Sequence, residues 1–426
     1  MDKKFIIVLS LFTAMLFPLF SENSSLVISK IIYIINGQTK KEALNRYIDI
    51  HEGDFFGSEK ELDLKVSDEI QKLLNLRLFQ EGSYEYESES ENKKNYTIII
   101  HLKDGWKIYP IPYPKYDSNK GFRLGMEFYY FNIGGSLLNF FIEGAVDLKI
   151  EEGVLRAGDW KINPSMNNLK IGKIIFSAEI YQSFSNNQKI ENLIPIENYD
   201  VYQTDLIFTS RIGITKWENF FYEMKPEFDF SYGFKDYLST AQYTPFRFNW
   251  NHSFGYDHIN WIGFDRTGFF GEFSNTLGLS SINDQIEPSL KISLEGQFFY
   301  LMKRFNPSIR VYAMKSWNDE IENLGENIRG LLDAYMFGKE AFFINLGFEF
   351  PIIDVKNKFE IHLLPFIDMG TVFKNDFTVA TGADLILYAD RFSSLQFRFS
   401  FGTDLNSLFT SDPDMYEIEI SSSLAY

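Results

Sequence analysis

The chain has 426 residues, enough for two or three soluble domains of ordinary size. It carries 44 phenylalanines and 24 tyrosines, yet its mean hydropathy is slightly negative at −0.18, so apolar residues are dispersed among polar ones in the manner of alternating strands rather than long buried helices. The absence of cysteine excludes disulfides, thiolate metal sites and a cysteine nucleophile, and a net charge of −17 opposes binding to nucleic acid and to anionic headgroups.

Residues 1–21 open with Lys3 and Lys4, continue through an apolar stretch from Phe5 to Phe20 interrupted by Ser10, Thr13 and Pro18, and end on a small residue. This is the pattern of a secretory signal peptide, too short and too broken by proline for a membrane-anchoring helix. No later segment has the apolar length of a spanning helix, so a membrane-embedded form must cross as strands.

Residues 26–105 read as a small α+β domain. A β-branched run at 27–35 is closed by the Asn36-Gly37 turn signal, and 40–48 has helical composition. Ser58 and Glu61 have capping-box spacing at the start of a second helix reaching about Leu76. Leu62, Val66, Ile70 and Leu73 would face a sheet, and Lys60, Lys65, Asp68, Glu69 and Lys72 would face water. Strands near 78–88 and 95–104 complete the unit. Along the first of these, Glu85, Glu87, Glu89 and Glu91 alternate with Tyr84 and Tyr86, either as a charged edge that resists strand aggregation or as an edge that accepts a client by β-augmentation. The order strand, helix, helix, strand, strand, with its NG and EGD-F signatures, resembles a single POTRA domain, the periplasmic docking module of outer-membrane assembly proteins.

Residues 106–426 alternate throughout. At 218–232, Phe220, Tyr222, Met224, Phe228 and Phe230 share one parity while Glu223, Lys225, Glu227 and Asp229 share the other. The same division recurs at 341–351, 395–402 and in the final strand, giving one face suited to lipid and one to water. The fold class predicted is an all-β transmembrane barrel of about sixteen antiparallel strands. The strands are placed near 106–116, 121–131, 136–149, 152–162, 169–182, 200–213, 218–232, 243–256, 260–273, 287–301, 303–315, 341–352, 357–370, 376–388, 393–403 and 415–426. With this division the long connections (183–199, 233–242, 274–286, 316–340 and 404–414) all follow odd-numbered strands, which puts both termini in the periplasm and the long loops on the cell surface.

Pro110, Pro112 and Pro114 occupy alternate positions of the first barrel strand, so three missing N–H groups face the same neighbour. Either they mark a linker, in which case another strand is needed, or that edge meets the last strand through few hydrogen bonds. Enzymatic signals are sparse: no nucleophile elbow, metalloprotease or phosphate-loop motif occurs, and the five histidines lack metal-ligand spacing. No catalytic residue, metal or cofactor is therefore expected.

Three late motifs stand together: Asn327-Ile328-Arg329-Gly330 in the longest loop, Phe348-Glu349-Phe350-Pro351, and Phe366-Ile367-Asp368-Met369-Gly370. They resemble the RG-loop, E-x-x-P-like and FxDxG signatures of the BamA and TamA superfamily of outer-membrane assembly and two-partner secretion proteins. Five strands follow the loop, as in that family, whereas the lone POTRA-like unit and Leu331 after the RG pair depart from it. Parity puts Glu349 and Asp368 on the lumen face, so a loop folded inward would bring Arg329 and Gly330 to these two acids. Tyr416, Ile418, Ile420, Leu424 and Tyr426 form an alternating C-terminal stripe similar to the sorting signal read by the barrel assembly machinery.

The resemblance implies a non-enzymatic factor that assists assembly, insertion or translocation of other proteins. Its partners would be outer-membrane lipid, unfolded barrel or passenger proteins, and the assembly machinery for its own insertion, with no nucleic acid. A porin-like channel with an acidic lumen, and a surface structural or adhesive barrel working through the segments 183–199 and 274–286, are the alternatives.

Overall fold

The computed structural model describes residues 26–88, 95–117, 121–151, 154–191, 194–214, 219–235, 245–282, 285–319, 322–330, 336–356, 358–373, 377–389, 392–405 and 416–424. The expected signal peptide lies outside these residues.

The N-terminal domain runs β1 (Leu26–Asn36), α1 (Lys41–Leu44), β2 (Phe55–Phe56), α2 (Glu59–Asn75), β3 (Phe79–Ser88) and β4 (Asn95–Asp104). Its sheet has the order β2-β1-β4-β3, with β1 parallel to β4. The expected first helix shrinks to a single turn. Helix α2 starts at Ser58, whose hydroxyl accepts from the Glu61 N–H at 3.2 Å, while the Glu61 carboxylate reaches back to the Gly57 N–H at 2.8 Å. Leu62, Val66, Ile70 and Leu73 are buried against the sheet. Glu69, expected to face water, is fully buried: it accepts the Asp49 N–H at 2.8 Å and pairs with Lys65 and Lys72, so its charge is answered inside the domain.

The barrel strands follow: β5 (Ile108–Asp117), β6 (Gly121–Tyr130), β7 (Asn139–Glu151), β8 (Val154–Ile171), β9 (Ile174–Glu191), β10 (Ile194–Gly213), β11 (Phe220–Lys235), β12 (Phe246–Ile262), β13 (Asp265–Ile282), β14 (Gln285–Phe299) and β15 (Asn306–Trp317). A long loop with the short pair β16 (Glu322–Asn323) and β17 (Phe337–Gly338) intervenes before β18 (Glu340–Val355), β19 (Phe359–Val372), β20 (Thr378–Ala389), β21 (Phe392–Asp404) and β22 (Tyr416–Leu424). Sixteen of these strands close into one barrel, each corresponding in order to one expected from the alternation. Phe230, Leu294, Phe342, Phe397 and Phe399 are exposed on the outer wall, whereas their opposite-parity neighbours line the lumen. Inside, ion pairs link neighbouring strands, among them Arg123–Asp147, Lys161–Glu143 at 2.6 Å and Arg310–Glu295 at 2.8 Å.

Two expected loops are strands instead. Residues 183–191 and 194–199 lie in the paired strands β9 and β10, and 274–282 and 285–286 in β13 and β14, because backbone pairing continues through these polar stretches. They are not the free loops on which the adhesive alternative relied.

The N-terminal domain sits across one mouth of the barrel, on short turns that follow even-numbered barrel strands. Tyr47 donates to the Asn168 carbonyl at 2.7 Å, and burial pushes its phenol pKa up to about 12, so it stays a donor near neutral pH. Lys40 N–H donates to the Gly135 carbonyl at 2.9 Å. From α2 and its end, Gln71 donates to the Trp261 carbonyl, Asn75 exchanges bonds with Asn260 and Trp261, and Arg77 reaches the Gly263 carbonyl at 2.9 Å.

Candidate functional site

The β15–β18 loop folds into the lumen. Its 3-10 turn at Gly325–Asn327 is anchored by Arg310, which donates to Asn327 Oδ1 at 3.3 Å, and by Asn345, which donates to the Asn327 carbonyl at 2.8 Å. Ile328 is buried among Met314, Met336, Phe343 and Val372, which fixes the chain direction just before the charged tip.

Arg329 then meets the wall. Its Nε and Nη2 bind both oxygens of Asp368 on β19, at 2.9 and 2.8 Å, and its own backbone N–H donates to Asp368 Oδ2 at 3.0 Å. Nη1 lies 3.4 Å from Asp384 on β20, and the guanidinium covers the Phe366 ring with 4.1 Å to its centroid. Asp368 and Asp384 are fully buried. The bidentate fork holds Asp368, while Asp384 is shared between Arg329 and Arg398, whose Nε lies 3.7 Å away, so loss of Arg329 would strand Asp368 and leave Asp384 with the longer contact. Ser400 completes Asp384 with a hydroxyl donated at 2.6 Å.

Gly330 follows at φ +83°, in the left-handed region, and its N–H donates to Glu417 on β22 at 2.7 Å. A Cβ at Gly330 would lie 2.7 Å from the Gly402 Cα, and one at Gly402 would strike both Gly330 and the Phe366 ring. Gly382 is similarly filled by Phe366 and the Gly402 backbone. The loop tip therefore touches the barrel wall backbone to backbone, at a place where only absent side chains leave room.

Glu349 does not join this cluster. Residue Asn345 is the register partner of Asp368, and Glu349 lies four positions further along β18, about 13 Å away, so the same lumen parity does not bring it to Arg329. It accepts instead from His362 at 2.9 Å and from the Tyr388 hydroxyl at 2.9 Å, with Glu360 on the other ring nitrogen of His362. The second acid that meets the arginine is Asp384. Asp384, Gly382, Gly402 and Glu417 escaped sequence reasoning as members of this site, and Phe366 was named within the FxDxG motif without its contact to Arg329. The small residues at 382 and 402, in strands otherwise rich in bulky side chains, were the available signal.

The strand carrying Pro110, Pro112 and Pro114 is part of the barrel, with these prolines exposed on the outer wall beside Tyr116. β5 pairs with β6 along its full length, from Ile108–Tyr130 to Asp117–Gly121. Toward β22 it pairs, among the described residues, at Asp117–Glu419 and Tyr116–Ile420 alone, with a Lys115–Glu419 ion pair at 3.0 Å beside them. β22 in turn pairs with β21 from Leu395–Leu424 to Thr403–Tyr416, placing Tyr416, Ile418, Ile420 and Leu424 in one ladder; Tyr426 lies outside the described residues. In the N-terminal domain Tyr84 and Tyr86 turn toward α2 and both donate to Asp63 at 2.9 Å, while β3 itself is an edge of its sheet.

Among the described residues, the carboxylates that approach closely enough to chelate a cation are Asp205, Glu227 and Asp229 in the lumen wall, and amides of Gln203, Asn251 and Asn249 already donate to them.

No protein-family model and no curated protein matches the sequence. Solved structures with the same architecture include CdiB from Acinetobacter baumannii, similar over 95% of this chain and 74% of that one with a TM-score of 0.62 and 14% identity. BamA from Haemophilus ducreyi lacking POTRA domains 1–3 is similar over 94% of this chain and 84% of its own, with a TM-score of 0.52 and 11% identity. CdiB from Escherichia coli is similar over 96% and 92%, with a TM-score of 0.53 and 11% identity. The chain therefore has the fold shared by the CdiB and BamA outer-membrane barrels.

Proposed function

We propose that this protein is a non-enzymatic outer-membrane factor that inserts or translocates other polypeptides. In this reading the N-terminal unit is a POTRA-like domain in the periplasm, the short turns lie on that side, and the long loop enters the lumen from the cell surface. A client strand is received near the free β3 edge and passed to the seam between β5 and β22, while the Arg329 loop keeps the lumen occupied. The observation that carries the reading is the seam: among the described residues two ladder positions join β5 to β22, where β5 and β6 pair along their whole length. A strand edge with unpaired groups is a template for another strand. The three late motifs and the barrel fold support the same assignment.

The test is site-specific photo-crosslinking from position 112 in intact cells. Captured nascent barrel or passenger chains are the expected result. Absence of any captured chain, with ion flux through the purified protein, would favour a channel instead.

A further inference from the structure

Between α2 and the β12–β13 turn lies a cavity of about 390 Å3, bounded by Lys72 and Asn75 from the helix and by Asn260, Trp261, Arg266 and Phe270 from the barrel, with Gln297 behind them. That volume suits a small ligand or the end of a peptide. The other charges of its lining are paired. Lys72 binds Asp68 at 2.8 Å, and Asp257 binds Arg211 at 3.0 Å.

Arg266 differs. Among the described residues its guanidinium has no ion pair and no side-chain hydrogen bond; it lies over the Phe299 ring at 4.0 Å and beside the Trp261 ring at 5.3 Å. Its backbone is fixed by Asn306, which accepts from the Arg266 N–H and donates to the Arg266 carbonyl. Stacking uses the faces of a guanidinium and leaves its in-plane N–H groups for a ligand, in a fork that matches a carboxylate. With Asp68 and Asp257 each paired to a cation, the lining offers one unpaired positive charge, which a single carboxylate balances and a multiply charged anion exceeds.

We propose that this cavity binds the C-terminal carboxylate of an extended peptide. Arg266 takes the carboxylate through two parallel N–H···O bonds, and Trp261 and Phe270 receive the terminal side chain. Because α2 forms one wall, the site is complete only while the N-terminal domain covers the mouth. The proposal rests on the reading that client polypeptides pass this face of the barrel.

The test is fluorescence anisotropy on the full chain in detergent, using a labelled Ala-Val-Tyr-Phe peptide as the free acid and as the carboxamide. Wild type is expected to bind the acid about tenfold more tightly than the amide, the difference expected from a charge-assisted hydrogen-bonded pair. Arg266→Gln should erase that preference, and Arg266→Lys, which keeps charge but not the fork, should retain part of it. Should Arg266→Gln fail to fold, the acid-to-amide comparison on wild type and the lysine variant still decides. Equal binding of acid and amide, binding of neither, a preference that survives in Arg266→Gln, or displacement of the acid by an equal concentration of inorganic phosphate would each overturn the proposal. Crosslinks from position 112 that persist alongside such a result would refute the cavity alone, while their absence would refute the translocation reading.

Discussion

Arg329 meets the wall on three sides at once: Asp368 through a bidentate pair, Asp384 at longer range, and the Phe366 ring under its face. Arg329→Ala should cost about 3 to 5 kcal/mol locally, because buried Asp368 loses its bidentate cation and Asp384 keeps only the 3.7 Å contact with Arg398. The expected outcome is higher conductance in planar bilayers and less heat-resistant folded barrel on gels; unchanged behaviour in both would refute the plug. Gly402→Ala is expected to reproduce the conductance increase with all charges intact, since its Cβ would collide with Gly330 and the Phe366 ring, an overpacking cost of about 1 to 3 kcal/mol. A variant that leaves conductance at the wild-type level would show that the close approach is not what seats the loop. Parity in the sequence was sufficient to put Asp368 on the lumen face. It could not choose Asp384 over Glu349, because that choice depends on inter-strand register, which places Asn345 and not Glu349 beside Asp368.

At the scale of elements, α2 serves two partners. One face buries Leu62, Val66, Ile70 and Leu73 in the domain core, and the end carrying Gln71 and Asn75 holds the β12–β13 turn. That turn reaches inward in its own right: the Phe264 ring stacks on Tyr388 of β20 at 4.8 Å between centroids. The domain is thus bonded to a segment that itself contacts the lumen wall. Asn75→Ala combined with Arg77→Ala removes hydrogen bonds worth about 0.5 to 1.5 kcal/mol each and a cation–π contact with Trp261 at 4.5 Å. The expectation is a domain that leaves the mouth more often. Because the chain has no cysteine of its own, a cysteine pair introduced at Arg46 and Ser136 and bridged by a short bifunctional reagent reads this directly. Crosslinking yield should fall in the double variant, and an unaltered yield would mean that docking rests elsewhere. The apolar stripe of α2 was legible from spacing alone. Its barrel-facing side was not, since polar residues that bond a second domain have the same periodicity as residues that face water.

For the whole molecule, alternation carried most of the architecture. Sixteen strands, the long loop before the last five, and a first strand weakened by proline are all written in local pattern, because one wall must be apolar and the other polar. The extent of two hairpins was misjudged because alternation lapses before the pairing does: the ladder runs on through polar stretches such as Ser185 to Lys189, whose composition resembles loop. The physical centre of the account is the seam, which among the described residues has two ladder positions with a half-buried Lys115–Glu419 ion pair beside them, in a cylinder otherwise closed by long ladders. Tyr116→Cys with Ile420→Cys places a disulfide across those partners. With the pair oxidised in intact cells, crosslinking of other polypeptides from position 112 should cease and return on addition of reductant, while the barrel stays folded throughout. Client capture that continues undiminished through a locked seam would contradict the account.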